Sequence, residues 1–420
     1  MHVMGRGGMV LIGGAVLMAA AMHHSSPVTR DPSPVTHHPS PCASDNAGLV
    51  LPTGFCATLF ADGVGAVRHL IALPNGDIIA ARASGGMILL RDTTGNGRAD
   101  VTSVFGEGRG TGIAYADGWL YFAPDDRVVR YRWTPGQLVP TAPPQVIVRD
   151  LPAGGNHTAK PIVVRAGTLY VDFGSATNSC QVDDRAPRSP GHDPCPEREI
   201  RAGIWTFDAA RADQTPANGV HFGVGLRNPM ALAFEPTTGM LWMAVHGRDQ
   251  LGEDWGFSDS LNAELPAEEF GPVVKGADYG WPYCYYDELR SKKVTAPEYG
   301  GDGTKTDRCA GKTVPVIGFP GHWAPMALTF YAGTAFPAEY RGGAFLAFHG
   351  SWNRAPLPQA GFRIVFVPFR NGRATGEYTT FATAKPGVLF RPAGLAVGPD
   401  GALYIGSDGA RKVWRVIAAN

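Results

Sequence analysis

PDGALYIGSD (399–408) decides the fold: a turn with glycine, then a short apolar strand ending in small and polar residues. The same pattern recurs upstream as PNGDIIAAR (74–82), ADGWLYFAP (116–124), RAGTLYVDFGS (165–175), TTGMLWMAVHG (237–247) and RGGAFLAFHG (341–350). The glycines Gly76, Gly118, Gly167, Gly239, Gly343 and Gly401 are expected to supply the left-handed turn ahead of each strand. The unbroken apolar run marks a strand buried on both faces. Strands of alternating type follow several copies, as in RVVRYRW (127–133), RIVFVPF (363–369) and KVWRVI (412–417). Intervals of about 40–70 residues suit four-stranded propeller blades. The 104-residue interval between Gly239 and Gly343 implies a large insertion. Six copies therefore predict an all-β, six-bladed β-propeller. Closure is also expected: the last strand, 412–417, needs an outer neighbour, and GFCATLFAD (54–62) has no blade of its own. Pairing the two closes the ring and removes an open edge.

The composition agrees. Among 420 residues, 55 Gly and 35 Pro make about a fifth of the chain, against the roughly 12% of average proteins. Charged residues reach only 18%, below the usual ~25%. A bundle of long amphipathic helices needs charged outer faces and avoids Gly and Pro, so it is disfavoured. Lys+Arg and Asp+Glu are equal at 37 each, which argues against nucleic acid as a partner. An anionic ligand must then be held by a local cluster of cations.

Residues 1–22 read as a secretory signal: Arg6 precedes the apolar run 9–22, which ends in small residues and falls short of the ~20 needed to span a bilayer. Residues 23–47 are rich in Pro, Ser and His and read as a linker, leaving 48–420 for the propeller. Once the signal is removed, no integral membrane segment is expected, and the location is periplasmic or secreted. In such an oxidising compartment six cysteines suggest disulfides. Six cysteines allow 15 connectivities, of which nearest-neighbour pairing gives Cys42–Cys56, Cys180–Cys195 and Cys284–Cys309.

Four clusters could carry chemistry where inner strands and their loops converge. His157 lies in GGNHTAKP (154–161), where a neutral imidazole can accept a proton from a hydroxyl. Arg227 and Asn228 lie in VGLRNPMALAFEP (224–236), and the arginine offers a planar fork to a carboxylate or a quinone-like oxygen. AVHGRDQLGEDW (244–255) crowds Asp249, Glu253 and Asp254 with the carbonyls of Gly247 and Arg248, oxygen donors that suit Ca²⁺. Arg354 and Arg391 stand near later strands. Taken singly, each cluster also fits a turn, a solvated loop or a satisfied histidine.

Together these segments resemble the soluble quinoprotein family of glucose and sorbosone dehydrogenases, six-bladed propellers that use pyrroloquinoline quinone (PQQ) and Ca²⁺. The motifs that carry the resemblance are GLRNPMALAF (225–234), RDQLGEDW (248–255), KGADYGWPYCY (275–285), HGSWNR (349–354) and RPAGLAVGPDGALY (391–404). The sorbosone and pyranose dehydrogenase branch is the more similar one. The resemblance implies an enzyme in which His157 is the general base for an aldose or sorbosone-type sugar and Arg227 hydrogen-bonds the quinone oxygen. It further implies that Asn228, Arg354 and Arg391 hold the cofactor and that the carbonyls of Gly247 and Arg248 complete a calcium site. PQQ carries three carboxylates, so charge-assisted hydrogen bonds of ~1.5–3 kcal/mol each would supply much of its affinity.

Departures from glucose dehydrogenase are Arg248 for a proline, Leu389 for a second carboxylate-binding arginine and Asn156 for an aspartate. Electrons are expected to leave by a quinone or a soluble redox carrier, since the chain has no CxxCH haem motif. The competing readings are a calcium-dependent propeller lactonase and a non-catalytic sugar-binding propeller. Neither needs arginines converging on a tricarboxylate.

Overall fold

A computed structural model describes residues 42–419; the expected signal and most of the expected linker lie outside the described residues. Six antiparallel blade sheets follow one another along the chain, five of four strands and the fifth of five, because Leu49–Val50 pairs with its outer edge. Their first strands are Val67–Ala72, Gly110–Ala116, Ile162–Arg165, Ala231–Phe234, Pro325–Phe330 and Pro392–Val397. Each first strand lies against the first strands of both neighbouring blades, and Pro392–Val397 meets Val67–Ala72 to complete the circle. The result is the expected six-bladed propeller around a channel.

The repeated motif is the second strand of every blade: Ile78–Arg82, Trp119–Pro124, Thr168–Phe173, Leu241–Val245, Ala344–Phe348 and Leu403–Ser407. Its continuous apolar run has a direct cause. Alternate residues face opposite sides of a strand, and both sides of a blade pack on neighbouring blades. In Ala344–Phe348, Phe345 and Ala347 join the core shared with the sixth blade, while Ala344, Leu346 and Phe348 join that shared with the fourth. Six such inter-blade cores ring the channel.

Five of the expected glycines have φ between 72° and 92°. In the fifth blade the left-handed residue is Gly342 (φ 75°), not Gly343. Gly343 is required for another reason: a Cβ there would lie 2.3 Å from the Phe366 ring.

Closure follows the expected pairing. Phe55–Ala61 is the outer strand of the sixth blade, with Phe55 opposite Ala418 and Leu59 opposite Trp414. All three nearest-neighbour disulfides form. Cys42–Cys56 ties residues 42–47 to this strand, and Trp414 Nε1 donates to Ala47 O at 3.0 Å. The structure therefore places these residues, read from sequence as the linker's end, against the propeller.

The long insertion of the fourth blade has two parts. Residues 246–267 carry the helices Leu251–Trp255 and Asp259–Glu264, and 273–316 carry a hairpin of Cys284–Asp287 with Lys292–Thr295. Both meet residues 174–202 of the third blade: Arg185 pairs with Asp249, and Trp281 Nε1 donates to Asn178 O.

Candidate active site

First strands begin, and second strands end, at the same mouth of the channel. Turns entering a blade therefore converge there with the exits of the repeated strands. They enclose a cavity of about 490 Å³ lined by His157, Arg227, Asn228, Gly247, Asp249 and Arg391 among the expected residues. A smaller cavity of about 280 Å³ shares His157 and Asn228 and adds Arg68, Arg109 and Asp125.

His157 is half-buried on the loop leading into Ile162–Arg165. Its Nδ1 lies 3.0 Å from Ser175 O and 2.9 Å from Ser175 Oγ. The serine hydroxyl donates to Thr177 O at 2.7 Å, and a carbonyl can only accept. Both partners thus require a proton on Nδ1, which leaves the Nε2 lone pair free. Burial first, and then the charge of Arg227, push the imidazole well below its ordinary pKa. At neutral pH His157 is a neutral acceptor with one open lone pair.

Arg227 is buried, and protein groups take four of its five N–H donors. Nε donates to Asn178 O (3.1 Å), Nη2 to Asn178 Oδ1 (2.9 Å) and Asp249 Oδ2 (3.0 Å), and Nη1 to Gly247 O (2.7 Å). One Nη1 donor remains. Burial would raise the Asp249 carboxyl, but Arg227, His322 and Arg185 outweigh it and hold it below the usual carboxylate range. Arg391 bonds His349 O through Nε, and His349 Nδ1 and Gly350 O through Nη2. Its Nη1 has no partner among the described residues. His349 is held in turn by Asp408, which also binds Arg68, so residues of three blades aim this guanidinium. The buried Asn228 Oδ1 likewise has no hydrogen-bond partner among the described residues. The two uncommitted arginine donors, on residues that line one cavity, form a polar cradle for an anionic or carbonyl-bearing molecule.

Four expected residues stand elsewhere. Arg354 does not line the cavity: it donates to Ala263 O, Gly321 O, Pro358 O and Glu264, and so staples the helix Asp259–Glu264 to the loop after Ala344–Phe348. Glu253 and Asp254 leave the oxygen-rich loop because the chain turns into Leu251–Trp255 after Gln250 (φ 67°). Glu253 is exposed. Asp254 points into the protein, where burial raises its carboxyl to about 6. Arg248 is buried behind the cavity with its side chain paired to Glu298, and its carbonyl accepts no hydrogen bond among the described residues. Among those residues no group of three or more His, Cys, Asp or Glu side chains is disposed to hold a metal. A cation here would depend on carbonyls such as Gly247 O and on Asp249.

Sequence reasoning missed Ser175, Asn178, His246, Glu268 and His322. A signal existed for two of them: AVHG (244–247) and AFHG (347–350) repeat one strand exit, and Ser175 occupies that exit in the third blade. Glu268 accepts from Gly247 N (2.8 Å) and Ala324 N (2.9 Å), while burial pushes its carboxyl up to about 8.

A propeller that gathers a poised histidine and partly uncommitted arginines at its channel mouth belongs to the class of propellers with a small-molecule site over the channel. More particularly, the chain belongs to the TrAA12-like family, which residues 49–419 match. A PQQ-dependent sugar dehydrogenase of Hypocrea jecorina is 25% identical over 89% of this chain and 91% of its own. A PQQ-dependent pyranose dehydrogenase of Coprinopsis cinerea is 29% identical over 54% of this chain and 36% of its own. The chain thus spans less than half the length of several curated relatives, about a third for the Coprinopsis protein. The calcium structure of a Trichoderma reesei carbohydrate-active enzyme of family AA12 superposes with TM-score 0.74 at 19% identity, over 89% of this chain and 97% of that one.

Proposed function

We propose that this protein is a PQQ-dependent dehydrogenase that oxidises an aldose or sorbosone-type sugar, with Ca²⁺ beside the cofactor. The observation that carries the reading is His157: Ser175 fixes its Nδ1, and its free Nε2 shares a cavity with Arg227 and Arg391. The names of the two curated relatives support it. The residues present fit the cofactor, since Arg391 Nη1 and one Arg227 N–H are uncommitted donors for carboxylate and carbonyl groups, on residues that line the same cavity as Asn228. Bound PQQ supplies the electrophilic carbonyl that takes the sugar's hydride, and Ca²⁺ supplies a Lewis acid for its oxygen.

The chain's own part is positional and acid–base. His157 Nε2 accepts the proton of the sugar hydroxyl as hydride leaves the same carbon. Arg227, locked by Asn178 and Asp249, presents its remaining donor without reorganising. Gly247 O and Asp249 would be the oxygen donors for Ca²⁺. Electrons then pass to a quinone or a soluble carrier, in the periplasm or outside the cell, where the three disulfides persist. Spectral titration with PQQ and Ca²⁺, followed by dye reduction with a panel of aldoses and sorbosone, tests the reading. Tight PQQ binding with sugar-dependent, chelator-sensitive reduction is expected. Absence of PQQ binding would sink it.

A further inference from the structure

We propose that Lys160, Asp172 and Arg201 form a buried positioning unit that fixes the His157 imidazole in its proton-accepting tautomer. The role rests on His157 being the base, as proposed above.

The geometry brackets the histidine loop. After His157, the fully buried Lys160 donates from Nζ to Thr158 O at 2.6 Å. Before it, buried Arg201 donates from Nη2 to Gly154 O at 2.9 Å, and its Nε reaches Gly174 O at 2.9 Å. Gly174 precedes Ser175, the residue that holds Nδ1. It also sits hard against the histidine: a Cβ on Gly174 would lie 2.7 Å from His157 Cβ and 2.9 Å from His157 O. Two buried cations therefore clamp carbonyls on both arms of the loop and on the strand exit that orients the ring.

Their acidic neighbour is Asp172, wholly buried in Thr168–Phe173, with no hydrogen-bond partner among the described residues on either carboxyl oxygen. Burial pushes its carboxyl well above the usual carboxylate range, and both cations draw it back down. The repeat shows that this residue departs from what packing asks for. Five residues after the left-handed glycine, the other blades carry Ala81, Ala123, Ala244, Ala347 and Gly406. Only the blade that bears the histidine has a carboxylate there. A buried, unsatisfied carboxylate is destabilising unless cations compensate it. Its use in this one blade points to the clamp rather than to packing. Burial draws Lys160 down to about 8 and pushes Asp172 up, each against the pull of the other, as expected of a basic and an acidic group held together out of water.

The test is a double variant, Lys160→Met with Asp172→Ala, which restores the residue of the other blades. Replacing a buried pair as a whole is often neutral for stability, so the fold is expected to survive. Histidine-selective ¹⁵N NMR reads the ring directly, with His157 assigned by its loss in His157→Gln. Wild type should show a single Nδ1–H tautomer. The double variant should show mixed or exchange-averaged tautomers. Its kcat should fall about tenfold or more, the order expected of a misplaced catalytic group, while sugar KM and PQQ affinity hold. Lys160→Arg, which keeps a donor, should restore the single tautomer.

A folded double variant with the wild-type His157 spectrum overturns the proposal whatever its activity. Should the double variant not fold, Asp172→Asn is read in the same way. The spectrum decides the positioning role even if no sugar is oxidised, so failure of the dehydrogenase reading stays distinguishable.

Discussion

Among single residues, the chemistry follows from which donors are already committed. His157 is neutral because burial and Arg227 depress its pKa, so the acid limb of turnover should lie below 6.5, the ordinary value. Protonation removes the Nε2 lone pair, and activity should fall as pH drops through that depressed pKa. His157→Gln should lower kcat by about 10²–10⁴-fold, keep PQQ affinity and lose the limb. A pH–rate profile of both proteins checks this, and a loss under about tenfold would remove His157 from the mechanism. Glu268 works in the opposite sense. Its folded pKa of about 8 lies above the unfolded 4.5, so its stabilisation is complete below about 4.5 and is lost as pH rises toward 8. The difference in melting temperature between Glu268→Gln and wild type should therefore shift in favour of Gln between pH 5 and 8. A constant difference would show that Glu268 is ionised throughout. His157, Arg227, Asn228 and Arg391 were legible in the sequence because each occupies a turn beside a recognisable strand. Arg354, Glu253 and Asp254 were misplaced because donor count and sequence neighbourhood say nothing about which way a helix turns its side chains. Glu268 sits on a third strand with no motif around it.

Among the elements, the second strand was readable because it is apolar on both faces. The first strands were not: stretches such as Ile162–Arg165 are short, border the channel and carry mixed burial, so they lack a period. The turn glycines show why a repeat can be right while one of its residues is misassigned. Gly76 has φ 92° and open space where the methyl group of an alanine would go, so Gly76→Ala meets backbone strain alone, about 1–2 kcal/mol. At Gly343 the φ is ordinary and the obstacle is the Phe366 ring, so Gly343→Ala meets overpacking of about 1–3 kcal/mol. Asparagine separates the two causes, since it tolerates the left-handed region but is larger than alanine. In urea melts Gly76→Asn should recover much of the loss seen with Ala, whereas Gly343→Asn should be worse than Gly343→Ala. The reverse order would mean that the turn in the first blade, not the crowding in the fifth, is set by side-chain volume.

For the molecule as a whole, stability depends on closing a ring whose last blade borrows its outer strand from the beginning of the chain. Phe55–Ala61 covers Lys412–Ala418, whose N–H and C=O groups would otherwise form a free edge open to other chains. It also carries Phe55, which packs edge-to-face on Phe336, Phe381 and Tyr340 with ring centroids 4.8–5.1 Å apart. Such aromatic contacts are worth about 0.5–1.5 kcal/mol each beyond their buried area. Their loss would open the core between the fifth and sixth blades as well as the edge. Leu49–Val50 adds a strand to the fifth blade, so the same segment braces two neighbours. A chain starting at Cys42 keeps the strand, the disulfide to Cys56 and the bond from Trp414, and should melt with the full-length protein. A chain starting at Asp62 loses all of them. It should melt at least 10 °C lower or associate through the exposed edge, as size-exclusion chromatography would show. Adding a synthetic peptide of residues 42–61 should restore the monomer and part of the melting temperature, since the strand acts by pairing rather than by being covalently continuous. A monomeric, fully stable protein from Asp62 onward would mean that the ring is held by its six inter-blade cores alone.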